Sequence, residues 1–222
     1  PTEQSTNRGI APARTIDDDR VAGYLPPTVA INGDTMVSVA GVDLEIYPAP
    51  GETDDALFIW LPKERVLFAG DNFYHAFPNL YAIRGPRYRD VLNWSTSVPR
   101  MATFEPDPLV GGHPSPLSGR ELATEALVQY SGAIRSVYDQ TVRAINSGKG
   151  PDLIAHEVKL AANAVNKPYL IDFYGSVSHA VRSIYAGLLG WYDGNPAKLN
   201  RLHPKDEAKK VAELAGGVKN LE

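Results

Sequence analysis

The sequence predicts a mixed α/β chain of the α+β type, with its strands gathered in the first half and its helices in the second. Three observations carry that reading. Residues 42–47 alternate apolar and polar side chains and then stop at Pro48-Ala49-Pro50-Gly51, as a half-buried strand does when it enters a loop. A second apolar run, 56–61, passes through the turn Pro62-Lys63-Glu64-Arg65 into Val66-Leu67-Phe68. From Leu122 onward the apolar residues fall at helical spacing instead.

Taken in order, residues 1–25 are polar, with an Asp17-Asp18-Asp19 run, and are expected to be a flexible or partner-dependent segment. Residues 28–31 and 36–39 are short β-type runs on either side of Asn32-Gly33-Asp34, a hairpin signal. Ala40-Gly41 is a second turn, so the chain to Leu67 reads as an antiparallel meander. Residues 72–106 are loop-rich and aromatic, with Arg84, Arg87, Arg89 and Arg100 interleaved and a short helix over 94–101. Residues 109–112 are the last strand.

Ser118 or Gly119 then starts a long helix in which Leu122, Ala126, Tyr130, Ile134, Val137, Val142 and Ile145 share a face, and Gly148-Lys149-Gly150 ends it. Pro151 opens a second helix through about Val165, Pro168 a third that carries Tyr169 to Leu188, and Pro204 to Leu214 a last short one. The division expected is 1–25, a strand-bearing region 26–117 and a helical region 118–222.

Composition bounds the function. The 222 residues carry 22 Lys and Arg against 26 Asp and Glu, a net charge of −4 that gives no electrostatic case for nucleic acid. With no cysteine, disulfides and thiolate metal sites are excluded. No run approaches the ~18 apolar residues of a membrane span, and residues 1–20 lack an apolar signal core. A soluble protein, cytoplasmic or periplasmic, is the expectation.

Three loops that begin where strands stop carry the chemistry. They present Gly51-Glu52-Thr53, Gly70-Asp71 and Gly112-His113. Strand ends are held rigidly, which suits side chains that must converge on one point. Two carboxylates and an imidazole are ligand types of a zinc site. Each has a plainer alternative: Glu52 as a solvated turn carboxylate, Asp71 as a turn cap, His113 as a satisfied loop histidine. Asp54 and Asp55 stand nearby as turn carboxylates or as groups that orient a ligand.

In that order the loops resemble the second half of the metallo-β-lactamase superfamily, whose pattern is a Gly-His-Thr loop, a Gly-Asp loop with a metal-bridging Asp, and a last His after a strand. Glu in place of the first His, followed by Phe77-Pro78-Asn79-Leu80-Tyr81-Ala82-Ile83-Arg84-Gly85, is similar to the alkyl sulfatase branch. Phe173-Tyr174-Gly175-Ser176-Val177 and Gly190-Trp191-Tyr192-Asp193-Gly194-Asn195-Pro196 extend the likeness toward the C-terminus. The family's His-x-His-x-Asp-His signature does not occur among His75, His113, His156, His179 and His203.

The resemblance implies the second half of an αββα sandwich, followed by an all-α region that forms a homodimer; burial of those helices within one chain is equally open from the sequence. It implies two zinc ions per complete site, with Glu52, Asp71 and His113 as this chain's ligands. It also implies an alkyl sulfate substrate whose head group is held by Asn79, Arg84 and Tyr185. His179 is a candidate acid near the leaving oxygen and Tyr174 a further candidate. Aromatic residues from Phe73 to Tyr88 would line a channel for the alkyl tail or fill an ordinary core. Three ligands hold one zinc weakly at best, so the remaining ligands are expected from a missing segment or a separate chain. The expected function is an alkyl sulfate hydrolase inactive as this portion alone. The alternatives are another ester hydrolase of the same fold, or a non-catalytic dimerisation or binding module with a degenerate metal site.

Overall fold

A computed structural model describes residues 23, 25–83, 87–113 and 115–220. The expectation for 1–25 therefore lies almost wholly outside the described residues. Four antiparallel strands run in chain order, β1 (Thr35–Val39), β2 (Val42–Pro48), β3 (Leu57–Leu61) and β4 (Val66–Gly70), and β5 (Leu109–Gly111) adds in parallel beside β4. The β1–β2 connection is the Ala40-Gly41 turn, both residues having positive φ (52° and 83°), which matches the twist of a tight hairpin. The hairpin expected at Asn32-Gly33-Asp34 does not form, and 28–31 is not a strand. Asp34 instead gives both carboxylate oxygens to Arg100, at 2.7 and 3.1 Å, which draws the segment toward the helix that bears Arg100.

That helix, α1 (Val91–Ala102), makes the crossover from β4 to β5. It starts three residues before the expected point because the Asp90 side chain caps Asn93 N–H at 2.9 Å. Its buried Val91, Trp94, Val98 and Met101 share one core with Phe58, Trp60, Leu67 and Leu109 from one face of the sheet. Phe104 closes that core against Tyr47, Phe58 and Trp60, with ring centroids 5.2–5.5 Å apart.

The other face of the sheet is also apolar, and its side chains are only half-buried or exposed among the described residues. Ile46, Ile59, Phe68 and Val110 form one cross-strand row, and the pairs Val37–Leu44 and Leu61–Val66 lie on the same face. None of the eight is buried, and Phe68 is 40 % exposed.

Helix α2 (Arg120–Asn146) confirms the long helical stripe and packs along α1, presenting Ala123, Ala126, Leu127, Tyr130, Ile134 and Val137 to the shared core. The second expected helix is broken into α3 (Pro151–Glu157) and α4 (Ala162–Val165). Val158 turns extended to enter the core, and the Gln140 amide bonds the freed Lys159 carbonyl at 3.0 Å. The third shrinks to a 3₁₀ turn, Pro168–Leu170, because Ile171 O accepts Phe77 N–H at 2.9 Å and Gly175 N–H is given to Phe77 O at 3.1 Å. Helix α5 (Val177–Leu189) then starts afresh on Ser176, whose hydroxyl caps His179 N–H. Helix α6 (Pro204–Leu214) follows as expected. Among the described residues no helix is long and apolar enough to cross a membrane.

Candidate functional site

The three predicted loops do lie side by side at one end of the sheet. The loop between β2 and β3 closes at its neck through Ala49 N–H to Ala56 O, 2.9 Å, and carries Glu52 at its tip. Gly70 ends β4 in a left-handed conformation (φ 55°) that only glycine adopts readily, and the chain turns there into Asp71. Gly112 N–H bonds Gly70 O at 2.8 Å, which sets the β5 end against that turn. A Cβ at Gly112 would stand 2.0 Å from Asp71 Oδ1, so the glycine is what lets the carboxylate approach. His113 Nε2 lies 3.2 Å from that same oxygen, and both side chains face solvent.

Glu52 is placed differently. Its side chain is only 12 % exposed, and Arg89 Nη2 donates to Oε1 at 2.6 Å. Oε2 is buried with no hydrogen-bond partner among the described residues. Burial pushes the Glu52 carboxyl above its usual range, Arg89 pulls it back, and Asp71 pushes it up again. The three predicted ligands thus feel one another, yet among the described residues no three His, Asp or Glu side chains are grouped so as to hold one ion. The donor types and the unpartnered Oε2 suit a metal; the set as it stands is partial. Asp54 and Asp55 are exposed on the same loop.

Arg89 is the participant that sequence reasoning left among interleaved arginines. It is 8 % exposed and spans from Glu52 to the Asn79 carbonyl, to which Nη1 donates. Asn79, predicted to bind an anionic head group, is likewise buried, and its Oδ1 has no partner among the described residues. Arg84 lies outside the described residues. Only the run of Arg around an Asn-bearing loop hinted at Arg89, because its partner Glu52 is 37 residues away.

A stack of tyrosines backs the site. The Tyr74 ring lies 6.1 Å from His113 and 5.4 Å from Tyr174, edge-on to the latter. Its N–H is accepted by Tyr130 OH at 3.1 Å, from α2. Burial pushes that phenol well up, and the Glu52 and Asp71 charges add to the rise. Tyr174 is thus joined to this stack through the Tyr74 ring. His179 is placed on Tyr81 instead, Nδ1 to OH 3.3 Å, where that hydroxyl also accepts Ser176 N–H at 3.1 Å.

Tyr185 lines a separate hollow of about 260 Å³ with Asp152, Arg182, Trp191 and Lys198. Of the two readings of the aromatic run from Phe73 to Tyr88, channel lining or core, the second holds for Phe73, Tyr74 and Phe77, each at most 1 % exposed.

Two family models match the chain: "Metallo-beta-lactamase superfamily" over residues 7–113 and "Alkyl sulfatase dimerisation" over residues 150–222. A linear primary-alkylsulfatase of Pseudomonas sp. (strain ATCC 19151) is 33 % identical over 217 residues, 97 % of this chain and 40 % of the relative. The alkyl/aryl-sulfatase BDS1 of Saccharomyces cerevisiae is 33 % identical over 185 residues, 82 % of this chain and 29 % of its own length. Among solved structures, the stereoselective inverting sec-alkylsulfatase Pisa1 from Pseudomonas sp. superposes with a TM-score of 0.83 at 29 % identity, over 88 % of this chain and 32 % of that one. The chain thus spans at most about 40 % of the length of these relatives.

Proposed function

We propose that this chain, which belongs to the alkyl sulfatase branch of the metallo-β-lactamase superfamily, forms one part of a zinc-dependent alkyl sulfate hydrolase. The observation that carries this is the placement of Glu52, Asp71 and His113 on neighbouring loops at one end of the sheet, with His113 on Asp71 and the Arg89 guanidinium on Glu52. Those three residues would hold zinc together with ligands from the rest of such an enzyme. Bound zinc supplies Lewis-acid charge and an activated nucleophile.

The chain's own residues do the rest. Arg84, which lies outside the described residues, and Asn79 are the proposed partners of a sulfate head group, an Arg fork being able to meet two oxygens at once. Arg89, whose two terminal nitrogens are taken by Glu52 and the Asn79 carbonyl, holds those two segments together. Glu52 keeps Arg89 in place by neutralising it. Tyr174, which packs on Tyr74, and His179, which meets Tyr81, are the candidate proton donors to the leaving oxygen. With its core packed solid, the chain leaves the alkyl tail to be held elsewhere.

Two features support the need for a complement. The ligand set is partial, and the row Ile46–Ile59–Phe68–Val110 with the pairs Val37–Leu44 and Leu61–Val66 forms an apolar sheet face left half-buried or exposed among the described residues, of the kind a second sheet covers. The chain alone is therefore expected to release no sulfate from dodecyl sulfate with zinc added. Expressed together with the coding sequence upstream, it is expected to release sulfate and to lose that activity with Glu52→Gln. Sulfate release indifferent to Glu52→Gln would sink the reading. A non-catalytic module is the second reading, favoured by the absence of a three-ligand set among the described residues; it predicts no activity in either form.

The helical region is proposed to pair with a second copy of the chain. Its C-terminal part leaves Trp191, Val211, Leu214 and Val218 between 47 and 89 % exposed, within the stretch that matches the dimerisation model. Val211→Glu with Leu214→Glu is expected to convert a dimer to a monomer in sedimentation equilibrium, with helical content unchanged. A dimer that survives both charges would place the contact elsewhere.

A further inference from the structure

We infer that Asn72 is the positioning residue of this site: its buried amide ties the Glu52 loop to the strand end that carries Asp71, and so sets where the two carboxylates stand. The role as a metal-site positioner rests on the ligand reading above; the tie itself does not.

Asn72 is fully buried, and a buried amide is retained only where its donor and its acceptor are both used. Here both go to the same loop. Oδ1 accepts Glu52 N–H at 3.2 Å, and Nδ2 donates to Ala49 O at 2.6 Å. The loop turns one N–H and one carbonyl inward three residues apart, and a primary amide is the small group that answers both. Aspartate would set a charge against the Ala49 carbonyl, and leucine would leave both groups unpaired.

The fit is tight. A Cβ on Gly51 would stand 1.9 Å from Asn72 Oδ1, so glycine is needed for the loop to close over the amide. Asn72 is itself fixed from the core side. Its carbonyl accepts Trp94 Nε1–H at 3.2 Å from α1, and its N–H is given to Ala69 O at 3.2 Å. Adjacent residues thus divide the work, Asp71 facing solvent beside His113 and Asn72 facing inward beneath Glu52. With Gly112 N–H on Gly70 O stitching the third loop, Asn72 completes the array that carries all three candidate ligands.

The test compares Asn72→Ala with Trp94→Phe in the 222-residue chain. Trp94→Phe removes the hydrogen bond to the Asn72 carbonyl and lowers stability, while leaving the side-chain amide alone. Three readouts are taken: melting temperature, amide exchange at Glu52 against amides of α1, and zinc affinity by calorimetry. Asn72→Ala is expected to speed Glu52 N–H exchange and to weaken zinc by about tenfold each beyond Trp94→Phe at matched stability. Asn72→Asp, which keeps the acceptor but sets a charge against the Ala49 carbonyl, is expected to restore only part of the Glu52 protection. Parallel losses in the Ala and Phe variants, or unchanged Glu52 exchange in Asn72→Ala, would overturn the inference and leave Asn72 a stability residue only. If the unaltered chain takes no zinc, the ligand reading fails and the exchange result still decides the tie.

Discussion

Gly175→Ala is expected to lower the unfolding free energy by about 3 kcal/mol, the upper end of what overpacking costs. A Cβ there would stand 2.1 Å from Pro78 O, 2.4 Å from Pro78 C and 2.7 Å from Phe77 O. All three are backbone atoms, so no side chain can rotate away to relieve the clash. Relief requires the lead-in to α5 to part from the loop at Phe77, which breaks Gly175 N–H to Phe77 O and loosens Phe77 N–H to Ile171 O. Tyr81 OH then loses Ser176 N–H, and with it the support of His179.

Gly132→Ala on the exposed side of α2 is the control. Its Cβ meets nothing within 4 Å, and alanine in place of helical glycine is worth up to about 1 kcal/mol of added stability. Thermal melts should therefore shift in opposite directions, the Gly175 variant falling by roughly 6–12 °C. Equal shifts would mean that the two segments do not press together as described.

Arg89→Met is the second large effect. It leaves the Glu52 carboxylate in its buried place with no cation and the Asn79 carbonyl without its donor, and a broken buried ion pair costs about 3–5 kcal/mol. The loss depends on pH, and its sign follows from the direction of the shift. Burial already raises Glu52 above the 4.5 of a free side chain, and Arg89 is the main group opposing that rise. Without Arg89 the folded-state value climbs further.

Between 4.5 and the folded value the native state binds more protons than the unfolded one, so stability falls as pH rises through that window. The penalty is then complete above the folded value and absent below 4.5. Urea denaturation should show the full deficit at about pH 7 and a smaller one at about pH 4. The part that persists at low pH belongs to the Asn79 carbonyl and the lost packing of the Arg stem. A deficit independent of pH would show that Glu52 does not hold Arg89.

Which parts of this were legible in the sequence follows from the range of the interactions. Alternation from Val42 to Tyr47, the Ala40-Gly41 turn and the helical stripe from Leu122 are local patterns, and each folds as read. That Glu52, Asp71 and His113 stand at one end of the sheet was legible because each follows a strand, and parallel or antiparallel neighbours bring those ends together. Two helix starts were also there to be read, in Asp90 and Ser176, as capping residues before apolar runs.

What the sequence hid depends on partners far along the chain. The break after Glu157 turns on Gln140 reaching the Lys159 carbonyl, and the loss of helix after Leu170 on Phe77 pairing with Ile171 and Gly175. The Glu52–Arg89 pair and the Asn72 amide join residues 37 and 20 positions apart, and nothing in their local sequence marks them.

The most direct measurement is a zinc titration of the 222-residue chain beside Glu52→Gln, Asp71→Asn and His113→Ala. A weak site for at most about one zinc per chain is expected, and each substitution should weaken it about tenfold or more. Zinc binding that is the same in all four proteins, or a chain that takes no zinc, would contradict the assignment of these three residues as this chain's share of a metal site.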